Sequence, residues 1–221
     1  MAKSKRKHKK AKSLSSGVPP VPDSLRKQVA QAGLEHVQFR AFRISDDVDD
    51  NYRSGITDEI GEATLALKQG QVHEAIVAFQ NIIKREPGAK EAYLNLAAAY
   101  KLSGQDETTA EALFQETMEK FPRYVFPRAN LAQIYLKRGQ VKEAEELLLP
   151  LDNLRDFTSG EFRFYALTWS DVLAAQGNYE AAMSWLQMLS SARPGSPGVW
   201  GRRVRYWIGR LLRGSHPKEQ E

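Results

Sequence analysis

Four glycines, Gly70, Gly104, Gly139 and Gly177, punctuate the chain at intervals of 34, 35 and 38 residues, and each stands between two amphipathic patterns of helical period. This recurrence constrains the fold more tightly than any other feature. A helix pair with one apolar stripe per helix cannot bury that stripe alone and needs a stacked neighbour. The clearest unit spans residues 91–122, EAYLNLAAAYKLSGQDETTAEALFQETMEKFP. Before Gly104, the residues Tyr93, Leu96, Ala97 and Tyr100 recur three and four apart, on one helical face. After it, Ala110, Leu113, Phe114, Thr117 and Met118 form a second stripe. Small residues (Ala97, Ala110) fall where two helices would cross closely, and Tyr100 and Phe114 where a gap must be filled. Phe121-Pro122 closes the unit.

The pattern recurs in order. Upstream it is carried by Ala63, Ala66, Gly70, Ala75, Phe79 and Pro87; downstream by Leu131, Ala132, Tyr135, Gly139, Ala144 and Leu148. A fourth copy has Trp169, Ser170, Leu173, Gly177, Tyr179, Ala182, Leu186 and Pro194. This succession resembles the tetratricopeptide repeat, a helix-turn-helix unit with a period of about 34 residues. The resemblance implies an all-α fold, an α-solenoid of about four repeats with a C-terminal capping helix. The repeats are expected over 56–89, 90–124, 125–160 and 161–195. The third departs from the pattern, because Pro150 falls inside its second helix and no Pro closes it. A break at 150–152 and an irregular connection to Gly160 are expected.

The 221 residues leave room for one solenoid and its tails. No apolar run reaches the roughly 18 residues of a spanning helix, and the charged N-terminus lacks the apolar segment of a secretory signal. With no cysteine there are no disulfides, thiolate zinc sites or thiol nucleophiles. These features point to a cytoplasmic protein. In a eukaryote the basic N-terminal run would also serve for nuclear import.

The net charge of +5 hides a segregation. Residues 1–16 hold seven Lys or Arg and no acid, and residues 198–213 hold five Arg and no acid; with both sets aside, the remainder carries −7. An acidic body lies between two basic ends. Residues 1–22 are Lys-rich and then Ser/Gly/Pro-rich, a composition that cannot bury enough apolar surface to order itself. They read as a disordered tail, either solubilising or an electrostatic arm for RNA, the ribosome or another polyanion through Lys5, Arg6, Lys7, Lys9 and Lys10. Residues 23–55 read as an N-terminal helical extension and acidic linker. A short helix capped by Asp23 or Ser24 runs to about Ala32, and residues 34–45, of mixed helix and strand pattern, are expected to pack on the first repeat. The acidic run 45–51 lacks the Gly and terminal Glu of a calcium loop and reads as a solvated linker.

Residues 196–214 form a basic amphipathic helix. On a wheel, Trp200, Val204, Trp207, Ile208, Leu211 and Leu212 share one arc, and Arg202, Arg203, Arg205, Arg210 and Arg213 share the other with Tyr206. The expectation is a cap that buries the apolar arc on the last repeat. Its Arg arc would also suit nucleic acid or anionic lipid. Residues 215–221 read as a disordered tail.

Nothing points to catalysis or a cofactor. The histidines at 8, 36, 73 and 216 are scattered, with no second ligand at metal spacing. Walker, dinucleotide and nucleophile-elbow motifs are absent. What remains is the groove. The resemblance implies that the first helix of each repeat lines a concave surface, which receives Leu94, Asn95 and Lys101 from the second copy. The third copy adds Phe126, Asn130, Gln133 and Lys137, and the fourth Phe164 and Asp171. Asn95 and Asn130 hold the same place in successive repeats. They look like two rungs of the asparagine ladder of the O-linked N-acetylglucosamine transferase solenoid, where amides bond the backbone of an extended peptide. The first repeat has Gly61 at this place and the fourth Thr168. The sequence thus reads as a non-catalytic scaffold for a protein or peptide partner. The alternatives are an RNA- or ribosome-associated factor working through the basic ends, and an assembly factor held at an anionic membrane surface. Salt separates them, since polyanion binding weakens steeply as salt rises.

Overall fold

A computed structural model describes residues 43–45, 52–104, 107–154 and 156–214. The basic tail 1–22, the helix expected over 23–32, the acidic run after Ser45 and the tail 215–221 lie outside the described residues.

Four helix pairs follow one another: α1 (Ile56–Lys68) with α2 (Val72–Arg85), α3 (Lys90–Leu102) with α4 (Glu107–Lys120), α5 (Val125–Lys137) with α6 (Val141–Leu148), and α7 (Ser159–Ala175) with α8 (Tyr179–Ala192). A further helix, α9 (Val199–Gly214), packs on α8. The second helix of every pair buries the same two places. Ala75, Ala110, Ala144 and Ala182 are fully enclosed, and four residues later so are Phe79, Phe114, Leu148 and Leu186. The small residue lets two helices approach, and the large one on the same face one turn on fills the space beside it. Enclosing each large side chain stabilises by about 1.5–3 kcal/mol.

The turn glycines all have left-handed backbone, with φ of 83° at Gly70, 70° at Gly104, 76° at Gly139 and 82° at Gly177. In three turns the residue after the glycine donates its N–H back into the first helix. Gln71 bonds the carbonyl of Ala66 at 3.0 Å, Gln140 that of Tyr135 at 2.9 Å and Asn178 that of Leu173 at 2.8 Å. Such a closure needs a positive φ at the preceding residue, which glycine adopts without a Cβ penalty.

The third pair is irregular as expected. Helix α6 stops at Leu148, and a 3-10 turn over Leu149–Asn153 accommodates Pro150. The chain then extends through β2 (Asp156–Thr158), which pairs in parallel with β1 (Arg43–Ser45), Ile44 opposite Phe157. Among the described residues, two three-residue strands therefore interrupt an otherwise helical architecture. They also correct the expected docking of the N-terminal piece: its residues 43–45 meet the junction of the third and fourth repeats, not the first repeat. The physical reason is the break at Pro150, which leaves extended backbone beside α7 whose N–H and C=O groups need partners.

Thr158 ends β2 and caps α7. Its Oγ1 accepts from the N–H of Glu161 at 3.2 Å, while the Glu161 carboxylate accepts from the N–H of Thr158 at 2.9 Å. Helix α7 is buried nearly all round, from Phe162 to Leu173, and is the centre of the larger core. Trp169 stacks on Trp185 of α8 at 6.3 Å between ring centroids, and Tyr165 stacks on Phe157 at 5.4 Å. Burial, with the Asp152 carboxylate beside it, pushes the Tyr165 hydroxyl well above its ordinary range.

Candidate partner groove and C-terminal helix

The first helices of the pairs reach one another at two places, α1 with α3 and α5 with α7, through polar and aromatic side chains. Asn95 on α3 donates its amide to Thr64 Oγ1 on α1 at 3.1 Å, and Thr64 in turn donates to the Ile60 carbonyl. Gln133 on α5 reaches Thr168 Oγ1 on α7 at 3.4 Å. Between those helices Phe126 meets Phe164, ring centroids 5.6 Å apart. A Cβ at Gly160 would stand 3.4 Å from the Phe126 ring, so the glycine leaves that ring its place. Asn130 turns its amide onto its own helix, donating to the Phe126 carbonyl at 2.9 Å. Leu94 packs partly against the cluster of Ala97, Ala110, Phe114, Leu131 and Ile134.

At the far end of α3 and α5 stand Lys101 and Lys137, both exposed. Partial burial holds the Lys101 ammonium below its ordinary range, and the charge of Lys137 pushes the same way against the pull of Glu107.

Asp171 lies elsewhere, beneath α9. Its carboxylate accepts from Arg202 Nε at 2.9 Å and Nη2 at 2.6 Å, from Arg205 Nη2 at 2.6 Å and from the Tyr206 hydroxyl at 2.7 Å. Tyr206 also meets Ser170 Oγ at 3.1 Å. Burial and the Asp171 charge push the Tyr206 hydroxyl up to about 12. Arg203 reaches Ser190 at 3.4 Å, and Arg210 pairs with Glu180 at 3.3 Å in the open.

These contacts reverse the expected facing of α9. The helix does pack on the last repeat, but through Val199, Arg202, Arg203, Tyr206 and Gly209. Tyr206 is 2% exposed, whereas Trp200 is 80% and Trp207 60% exposed. Val204, Ile208, Leu211 and Leu212 are exposed with them. Two features decide the facing. Asp171, its side chain largely withdrawn from solvent on α7, needs cationic partners. Gly209 lets α9 close on Tyr179, whose ring would lie 2.7 Å from a Cβ at that position.

Tetratricopeptide repeat family models match residues 60–125 and 105–157. The chain is a tetratricopeptide repeat protein. It is 26% identical over 140 residues to the photosystem I assembly protein Ycf3 of Synechococcus sp. (strain CC9311), covering 62% of this chain and 72% of that one. Among solved structures it is similar to a thermophilic tetratricopeptide repeat protein of Thermus thermophilus, with a TM-score of 0.56 at 18% identity, covering 86% of this chain and 98% of the other. It is also similar to Pseudomonas aeruginosa PilF, with a TM-score of 0.56 at 13% identity, covering 73% and 78%. At these identities the structural likeness concerns the fold alone.

As a tetratricopeptide repeat protein the chain has the architecture of a protein-interaction scaffold. The structure brings Lys101 near Lys137 and Phe126 against Phe164. Asn95 and Asn130 do not meet; each bonds within its own neighbourhood. Arg202 and Arg205 are engaged by Asp171, whereas Lys5, Arg6, Lys7, Lys9, Lys10 and the side chain of Arg213 lie outside the described residues. Sequence reasoning missed Thr64 as the partner of Asn95 and Tyr206 as the anchor of α9. For Tyr206 the signal was present: a tyrosine and a glycine on an arc otherwise made of arginine.

Proposed function

We propose that the surface shared by α1, α3, α5 and α7 binds an extended, acidic segment of a protein partner and performs no chemistry on it. The observation that carries this reading is the repetition of one polar place, Asn95 and Asn130, on the first helices of successive repeats, with the cations Lys101 and Lys137 at the C-terminal ends of the same two helices. Each amide uses one N–H within the protein and keeps a carbonyl and a second N–H, the complement of a peptide group. The aromatic pair Phe126 and Phe164 offers apolar contact farther along. Similarity to a protein named for assembly supports a scaffold role. The test combines Asn95→Ala with Asn130→Ala and titrates the partner recovered by affinity capture with mass spectrometry, run with and without nuclease. Loss of a hydrogen bond at each position, about 0.5–1.5 kcal/mol, should weaken binding roughly tenfold. Unchanged affinity at low and high salt would refute the groove.

A further inference from the structure

Helix α9 shows the solvent an apolar face that its packing on α8 leaves uncovered. Trp200, Val204, Trp207 and Ile208 lie along it, with the exposed Leu211 and Leu212 continuing the arc. We propose that this face seats in the interfacial layer of a membrane rich in anionic lipid, with the helix axis along the surface. No helix among the described residues is long and apolar enough to cross a membrane, so the attachment is peripheral.

Charge complementarity selects this occupant. The helix carries five arginines and no acid. The acids they reach among the described residues are Asp171 and Glu180, so the helix keeps a cationic surplus. Arg205 and Arg210 stand exposed on the two borders of the apolar arc, where they would meet lipid phosphates while the arc enters the acyl boundary. Trp200 and Trp207 lie two turns apart at the same height of the arc, and an indole places an apolar body in hydrocarbon and its N–H among headgroups. A second copy of this chain fits less well, because apposing two such faces would set the arginine borders of one copy against those of the other.

The opposite arc supplies the third element. Because Asp171 and Tyr206 hold α9 in place, the apolar face is ordered before any contact. A free amphipathic peptide must fold at the membrane, whereas this one binds without that ordering cost. The length also suits: 16 residues give a contact about 24 Å long.

The test uses the full chain with extruded vesicles of phosphatidylcholine alone and of phosphatidylcholine with phosphatidylglycerol. Co-sedimentation is expected with the anionic vesicles. Bromine-labelled lipid should quench the tryptophan fluorescence of the parent. Trp200→Ser with Trp207→Ser keeps every charge and should lower binding at least tenfold, while its melting temperature stays near that of the parent. Arg210→Gln should lower binding to anionic vesicles by about fivefold. Three results would overturn the proposal. One is binding that the double tryptophan variant retains, which would give the lipid contact to the basic N-terminal residues. Another is no vesicle binding, together with a dimer that the same variant dissolves. The last is no vesicle binding, together with a complex with an acidic protein that the same variant abolishes.

Discussion

Arg202 of α9 places both Nε and Nη2 on a single carboxylate oxygen of Asp171 in α7, at 2.9 and 2.6 Å. The pair spans a separation of 31 residues, and its side chains are only 20% and 17% exposed. Removing one partner therefore strands the other in a poorly hydrated place. Asp171→Asn should lower the unfolding free energy by about 2–3 kcal/mol, whereas Trp207→Ser on the open side should stay within about 0.5 kcal/mol. Urea unfolding of both variants checks this. The reverse order would mean that the helix docks by its tryptophan arc.

Two glycines of α9 give a second contrast. Gly209 faces Tyr179 with no room for a methyl group, and Gly201 has nothing within 4 Å of where its Cβ would stand. Gly209→Ala should destabilise by about 1–3 kcal/mol through forced displacement of the ring or the helix. Gly201→Ala should be neutral or stabilise by up to about 1 kcal/mol, since alanine favours the helix. Thermal melts of the two variants read out the difference.

The Tyr206 hydroxyl supplies a signature in alkali. Its folded value of about 12 exceeds the ordinary 10, so between these values the folded state holds the proton more firmly than the unfolded chain. The resulting stability is fully present below pH 10 and is lost as pH rises through 12. It amounts to up to about 2 kcal/mol at this partly wet site. Tyr165 shifts in the same direction, so the informative quantity is the difference between the parent and Tyr206→Phe. That difference should shrink between pH 10 and 12 in denaturant titrations.

If the proposed groove takes an acidic segment, Lys101 and Lys137 should carry its selectivity for charge. Lys101→Glu with Lys137→Glu should abolish capture of an acidic partner at low salt. Lys101→Gln alone should weaken it by a few-fold and reduce its salt dependence. Isothermal titration at two salt concentrations measures both. Tighter binding by the double glutamate variant would assign the groove to a basic partner.

The helices and their pairing were legible because stripe, glycine turn and small-large packing repeat together. Agreement among independent local signals is strong evidence for one fold. The facing of α9 was not legible, because a helical wheel fixes which residues share an arc but not which arc meets the body. That choice rests on Asp171 in another repeat and on the fit of Gly209 to Tyr179. The strand pairing escaped for a related reason. Three residues at each end carry too little pattern to announce a parallel partner so distant in sequence. In the groove, the equivalence of Asn95 and Asn130 was readable from spacing alone, but the inward bond of Asn95 to Thr64 depends on how closely α1 and α3 approach.

The pairing of β1 with β2 also sets an order in time. Joining strands across roughly 110 residues of flexible chain would cost about 4 kcal/mol in loop closure, more than three residues of ladder can return. Once the intervening helices have stacked, the two strands are already neighbours and most of that cost has vanished. The pairing of Arg43–Ser45 with Asp156–Thr158 is therefore expected to form late in folding, after the helices between them have stacked, and to release early on heating.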